Sequence, residues 1–264
     1  MSNPYSSFKA SILSVKPQTD IDYTFRLATD LKVSSGQFVE VSIPRVGEAP
    51  ISVSDFGEGW IEMTIRRAGK LTDVIHEMIQ GKHLYIRGPY GNGFPMDKFK
   101  GKNLIIAAGG TGLAPVKSII SSFNQGITGI KDLTLLAGFK TPADVLFRDE
   151  ISKWHENIQI EITVDNDDTG NWPGGTGLIT GLIEQMDIAN LEQTEVIIVG
   201  PPVMIKFSYL EFIKKGIRKE NVWVSFERKM CCGIGKCGHC KIDGTYVCLE
   251  GPVFNYAKAE QLVD

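Results

Sequence analysis

The chain reads as three segments: an antiparallel β-barrel, a doubly wound α/β domain on a parallel sheet, and a small C-terminal module. Three observations predict this. Up to about residue 98, short stretches alternate apolar and polar residues between turn residues, as a closed antiparallel sheet requires. From about residue 102, continuous apolar runs alternate with helix-length stretches, the pattern of a parallel sheet covered on both faces. All five cysteines fall between residues 231 and 248, in a tail too short to build a core unaided. The segments are set at 1–98, 99–222 and 223–264.

Within the first segment, strands are predicted at Phe8–Val15, Tyr23–Leu27, Phe38–Ile43, Trp60–Ile65 and His83–Arg87. One helix is expected at Thr72–Gln80, where Val74, Ile75, Met78 and Ile79 share a side. In the second, buried strands are predicted at Leu104–Ala108, Leu133–Ala137, Ile158–Val164 and Glu195–Val199. Helices are expected at Pro115–Phe123, with proline near the first position, and at 142–154, 177–186 and 201–215.

Composition excludes several function classes. Over 264 residues, hydrophobic residues make 42% and charged residues 22%, so the bulk is globular. Lys and Arg number 28 against 31 Asp and Glu, a net charge of -3, which gives no basic face for nucleic acid. No apolar run approaches the roughly 20 residues that span a bilayer. Met1–Ala10 lacks an apolar secretory core, so a cytoplasmic protein is expected.

The cysteines point to a metal. A disulfide framework would spread along the chain, whereas these thiols cluster. Cys232, Cys237, Cys240 and Cys248 are spaced C-x4-C-x2-C-x7-C, and the first three match plant-type [2Fe–2S] spacing. Two irons need four thiolates, two each. Gly233, Gly235 and Gly238 let the backbone wrap and aim N–H groups at sulfur. Cys231 is left over and is one residue out of register with Cys232. A structural zinc site is the alternative, but Cys240-x7-Cys248 makes a poor second knuckle. His239, between ligands, reads as an exposed loop residue.

Other segments carry weaker signals. Gly109-Gly-Thr-Gly-Leu-Ala-Pro115 follows a buried strand and opens a helix, where amides can hold a pyrophosphate. Pro115 occupies the third glycine position of the dinucleotide fingerprint, so a ligand-free tight turn is the alternative. Gly200-Pro-Pro-Val-Met204 follows the last predicted strand and would share the carboxyl edge of the sheet, although plain turn chemistry also explains it. In the barrel, Ala49-Pro-Ile-Ser52 is placed after a strand, and Thr72 is read as a helix cap that also faces a phosphate. Arg66 and Arg67 read as surface charge, and Arg87–Gly93 as a turn-rich connection.

Taken in order, Gly36-Gln-Phe38, Ala49–Ser52, Gly88-Pro-Tyr-Gly-Asn-Gly-Phe94, Gly109–Pro115 and Gly200–Met204 resemble the ferredoxin-reductase-like flavoproteins over nearly the whole chain. The cysteine tail narrows the resemblance to electron-transfer subunits of dihydroorotate dehydrogenase, sulfhydrogenase and anaerobic sulfite reductase. Phe226–Cys240 with Tyr246–Phe254 is most similar to the sulfite reductase members. This resemblance implies FAD in the barrel and NADH in the α/β domain. Pro50, Ile51 and Ser52 would line the flavin, Thr64, Ile65 and Arg66 would follow its ribityl chain and ring, and Leu71 and Thr72 would meet its diphosphate. Gly110, Thr111 and Gly112 would receive the dinucleotide, with Gly200, Pro201, Pro202 and Met204 near the nicotinamide.

Two departures stand out. The family's arginine before Pro-Ile-Ser is Ala49, so another cation, Arg66 for instance, must balance the phosphates; and Leu71 replaces a small residue. The resemblance implies hydride transfer from NADH to FAD and one-electron exit through the cluster, with no general acid. The expected partner is a catalytic reductase subunit, with or without a ferredoxin-like iron–sulfur subunit, and sulfite reduction is the expected reaction of the complex. The alternative is the same subunit serving dihydroorotate dehydrogenase, sulfhydrogenase or an NADH-dependent ferredoxin:NADP oxidoreductase. Lys140, beyond the second α/β strand, is too little for a 2′-phosphate site, which favours NADH.

Overall fold

A computed structural model describes residues 5–262; the first four residues of the stretch read for a signal lie outside them. The chain divides into two compact units. One holds residues up to Phe94 together with Phe226–Val253; the other holds Pro95–Ser225 with Phe254–Gln261.

In the first unit, six strands close a barrel: β1 (Phe8–Pro17), β2 (Asp22–Ala28), β3 (Phe38–Ile43), β4 (Gly47–Gly57), β5 (Trp60–Arg66) and β6 (His83–Tyr90), in the order β1-β2-β5-β4-β3-β6. Helix α1 (Lys70–His76) follows β5. Alternation works as expected: Ile61, Met63 and Ile65 of β5 turn into the core with Phe25, Leu27, Val39, Val41, Leu84 and Ile86.

Strand β4 departs from the sequence reading, because Ala49–Ser52 lies inside a strand and not after one. Pro50 hid it. The proline is tolerated because β4 changes partner along its length. Gly47–Ser52 pair with β3, Pro50 opposite Glu40, and the ladder to β5 begins only at Val53–Met63. At Pro50 one edge carries no ladder, so the missing N–H costs none.

The second unit opens with α2 (Met96–Phe99) and builds on β7 (Asn103–Gly109), β8 (Asp132–Phe139), β9 (Gln159–Val164), β10 (Gly175–Thr176), β11 (Thr194–Val199) and β12 (Val222–Ser225). Around them lie α3 (Lys117–Asn124), α4 (Arg148–Trp154), α5 (Ile179–Gln185) and α6 (Pro202–Lys214). Between Gly109 and α3 the chain forms a 3-10 turn, Gly110–Val116, so the regular helix begins at Lys117 and not at the expected Pro115. The cysteine tail carries β13 (Lys241–Ile242), β14 (Thr245–Tyr246) and α7 (Val247–Glu250), and ends in β15 (Val253–Asn255) and α8 (Tyr256–Ala259). The sheet order is β10-β9-β8-β7-β11-β12-β15. The order reverses beside β7, whose parallel neighbours are β8 and β11. In such sheets ligands bind at the carboxyl ends of the strands flanking that reversal.

Candidate functional sites

Two loops meet at the sheet reversal. Ala108 of β7 lies opposite Val199 of β11, so Gly109–Gly112 and Gly200–Met204 leave the same edge side by side. Their approach is close. A Cβ on Gly109 would fall 2.2 Å from Met204 Sδ, and one on Gly112 would fall 2.4 Å from the Val199 carbonyl oxygen. Gly110 differs: its φ is +53° and nothing lies within 4 Å of where a Cβ would be. The turn thus presents open backbone, which suits an approaching pyrophosphate. Thr111 and Met204 are half-buried, while Pro201, Pro202 and Lys140 are exposed. A cavity of about 500 Å³ opens at the opposite edge, beside Asn103, Asp132, Gln159 and Thr194, which begin their strands; it lies away from these loops.

The three flavin segments named from the sequence come together in the barrel. Residues 49–52 of β4 and 64–66 of β5 face one another beyond the end of their shared ladder. Helix α1 packs on the start of β4, with Leu71 Cβ 3.9 Å from where a Gly47 Cβ would be. A long ligand running between strands therefore meets backbone edges from both. Ile65 turns into the barrel core and Ile51 packs against it, so these two offer main chain to such a ligand.

The polar side chains there are largely committed. The buried Thr64 hydroxyl bonds Thr24 Oγ1 at 2.9 Å and Ser54 Oγ at 3.4 Å. Arg66 donates twice to the fully buried Asp22, at 2.9 and 3.0 Å. Its charge is thus shared with a carboxylate, not held in reserve for phosphate. Thr72 does not cap α1. The N-cap is Gly69, and Thr72 Oγ1 donates to the Gly69 carbonyl at 2.9 Å while accepting from the Ala68 amide at 2.8 Å. The helix starts two residues earlier than its apolar pattern implies, because Lys70 and Leu71 complete its first turn.

The cysteine loop packs in the barrel unit. Cys232, Cys240 and Cys248 are buried, whereas Cys231 and Cys237 are exposed. The thiols meet in two pairs, Cys232 with Cys237 and Cys240 with Cys248. Among the described residues, no group of three or more His, Cys, Asp or Glu is arranged around one ion. Amides aim at the sulfurs: Lys236 and Ile234 donate to Cys232 Sγ at 3.3 and 3.5 Å, and Gly235 donates to Cys248 Sγ at 3.1 Å. Gly233 (φ +72°) lies so close over Tyr90 that a Cβ would sit 2.9 Å from its ring. The His239 amide favours the Cys237 thiolate and holds that thiol below its usual value. Burial, then the neighbouring Cys240, pushes the Cys248 thiol up.

One group beneath this loop was not read from the sequence. Arg87 of β6, 4% exposed, donates to the Cys232 carbonyl at 2.7 Å, the Cys231 carbonyl at 3.1 Å and Tyr90 Oη at 3.0 Å, and also pairs with Glu48. Glu40 of β3 is fully buried 3.9 Å away, and neither of its oxygens finds a hydrogen bond. Burial pushes the Glu40 carboxyl up to about 7, with Arg87 opposing. The available signal was a charge on a strand position beside the core residues Leu84 and Ile86, just before Gly88-Pro89.

Residues 106–209 match the oxidoreductase NAD-binding domain, and residues 227–260 match the iron–sulfur cluster binding domain of dihydroorotate dehydrogenase B. The chain is 37% identical to sulfhydrogenase 1 subunit gamma of Pyrococcus furiosus, over 96% of this chain and 92% of that protein. The chain belongs to this family of oxidoreductase electron-transfer subunits. A probable dihydroorotate dehydrogenase B electron transfer subunit of the same organism is 31% identical, over 88% of this chain and 83% of that protein. In fold, an NADH-dependent reduced ferredoxin–NADP oxidoreductase superposes with a TM-score of 0.77 at 21% identity, covering 98% of this chain and 94% of that one. The chain thus carries an NAD-binding domain and an iron–sulfur cluster binding domain, the two cofactor modules of an NAD-dependent iron–sulfur oxidoreductase subunit. Among the described residues, no helix is long and apolar enough to cross a membrane.

Proposed function

We propose that the chain takes hydride from NADH onto FAD and passes single electrons through a [2Fe–2S] cluster to a catalytic partner subunit of the sulfhydrogenase kind. The observation that carries this is the paired, amide-cradled cysteine loop in one unit with the barrel, in a chain that also holds a nucleotide-binding sheet reversal. A flavin exchanges hydride with a nicotinamide and single electrons with an iron–sulfur cluster, so it is the component able to join the two.

The residues divide that work. Gly110 presents open backbone to the pyrophosphate, Thr111 and the closely packed Gly112 complete its turn, and Gly200, Pro201, Pro202 and Met204 form the neighbouring wall for the nicotinamide. Pro50, Ile51 and Ser52, with Thr64, Ile65 and Arg66, border the flavin along two free strand edges, and Leu71 and Thr72 lie at its diphosphate end. Cys232, Cys237, Cys240 and Cys248 hold the irons as two pairs, leaving Cys231 spare. No side chain is needed as general acid or base, because the hydride moves without a separate proton donor.

The partner assignment follows the relatives. Two Pyrococcus furiosus sulfhydrogenase gamma subunits, at 37% and 38% identity, each cover 96% of this chain. They favour a hydrogenase-type partner over the sulfite reductase that the tail motif suggests. Anaerobic affinity purification of the chain from its own host tests this. A stoichiometric hydrogenase-type subunit with hydrogen-dependent NAD+ reduction is expected; a sulfite-reducing haem subunit, or a dihydroorotate-oxidising one, would reassign the partner.

A further inference from the structure

We propose that Arg87 is a positioning residue for the cluster: it holds the Cys231 and Cys232 carbonyls, fixes the start of the loop whose amides donate to the Cys232 sulfur, and thereby raises the reduction potential. This rests on the reading that the cysteine loop holds a [2Fe–2S] cluster.

The geometry is specific. The Cys231 carbonyl accepts from Arg87 Nη2 at 3.1 Å, at the start of the loop in which the Ile234 and Lys236 amides donate to Cys232 Sγ at 3.5 and 3.3 Å. Arg87 thus anchors the backbone on which Cys232 and its two amide donors are hung. The Cys232 carbonyl, held at 2.7 Å by Nη1, fixes the following peptide in the same manner. Amides donated to cluster sulfur stabilise the added negative charge of the reduced state, a recognised control on potential. Arg87 is itself held on its far side by Glu48 and Tyr90, and Glu40 faces it from β3. It needs all three guanidine nitrogens: Nε for Glu48, Nη1 for Tyr90 and Cys232, Nη2 for Glu48 and Cys231. A lysine keeps the charge but has one head and cannot hold two carbonyls and a carboxylate in a plane.

The test compares wild type, Arg87→Lys and Glu48→Ala as purified full-length protein, by iron and FAD content and by EPR-monitored redox titration. In Arg87→Lys, FAD stays bound and the reduced-to-oxidised ratio of the cluster at a fixed potential falls about tenfold, equal to 59 mV for one electron. Glu48→Ala is the signed control. Removing a carboxylate raises the potential through charge alone, whereas slackening the clamp lowers it, so a fall is expected. Loss of iron from Arg87→Lys with FAD retained also supports the clamp, with the potential then read on Glu48→Ala. A wild-type potential in Arg87→Lys, a rise or no change in Glu48→Ala, or loss of FAD together with iron overturns the assignment. A wild-type protein without iron defeats the underlying cluster reading instead.

Discussion

Replacing Gly112 by alanine separates close packing from ligand approach at the sheet reversal. The new Cβ would lie 2.4 Å from the Val199 carbonyl oxygen, 2.8 Å from its carbon and 3.0 Å from the Gly200 nitrogen. All three are backbone atoms of the adjoining strand β11 and its loop, so no side chain can swing away. Relief requires the turn to move by close to 1 Å from β11. Overpacking of this size costs about 2 kcal/mol, within the usual ~1–3. For a chain of this size that lowers Tm by roughly 4–8 °C. The same displacement moves the turn that receives the pyrophosphate, so NADH affinity should fall about tenfold or more, ~1.4 kcal/mol. Gly110→Ala is the contrast, because its Cβ meets nothing within 4 Å and only the φ of +53° opposes it. That strain costs about 1 kcal/mol. Gly110→Ala should therefore hurt NADH binding more than stability, and Gly112→Ala should hurt both. FAD content should hold in each, since the barrel is a separate unit. Scanning calorimetry and anaerobic NADH titration measure the two effects. A Gly112→Ala protein with wild-type Tm and affinity would refute the packing argument, and wild-type affinity in Gly110→Ala would remove the pyrophosphate from that turn.

Further outcomes follow from the barrel unit. Cys232→Ser should lose or badly perturb the cluster while Cys231→Ser keeps it, read by iron content and EPR, because Cys232 is buried with two amides on its sulfur and Cys231 is exposed. Gly233→Ala should destabilise the loop, its Cβ both 2.9 Å from the Tyr90 ring and at φ +72°, and iron should be lost faster to a chelator than from wild type. Glu40, raised from 4.5 to about 7 by burial, favours folding while protonated, and that contribution disappears as pH rises through about 7. The difference is on the order of 3 kcal/mol; Glu40→Gln should thus gain on wild type in urea unfolding at pH 8.5 and not at pH 4, and a pH-independent difference would count against it. NADH should reduce the flavin faster than NADPH in stopped flow, since Lys140 is a lone exposed cation beyond β8.

Most strands were legible from their buried faces: Phe38–Ile43 was read with its ends correct, the apolar runs at β7, β8 and β11 needed one to three residues added, and that at β9 one removed. Strand β4 was not legible, because Pro50 is a break signal that a partner change neutralises, and partner changes leave no local trace. Strand β12, all buried, was lost against the cysteine-rich tail that begins beside it. The cysteine set stood out by spacing, since covalent ligation imposes local rules. The Arg87 clamp did not, because its partners Cys231 and Cys232 are 144 and 145 residues away and meet it only in the fold. Thr72 was misread for a related reason: a threonine near a helix start signals a cap, but Gly69 takes that place and Thr72 serves the turn behind it.

The central claim, that this chain links a nicotinamide to one-electron exit, is tested most directly by anaerobic titration with NADH followed by visible absorbance and EPR in the same sample. The account predicts bleaching of a bound flavin together with the EPR signal of a reduced [2Fe–2S] cluster, and loss of that signal, with bleaching retained, in Cys232→Ser. A protein whose visible spectrum NADH leaves unchanged, or whose cluster signal survives in Cys232→Ser, would contradict it.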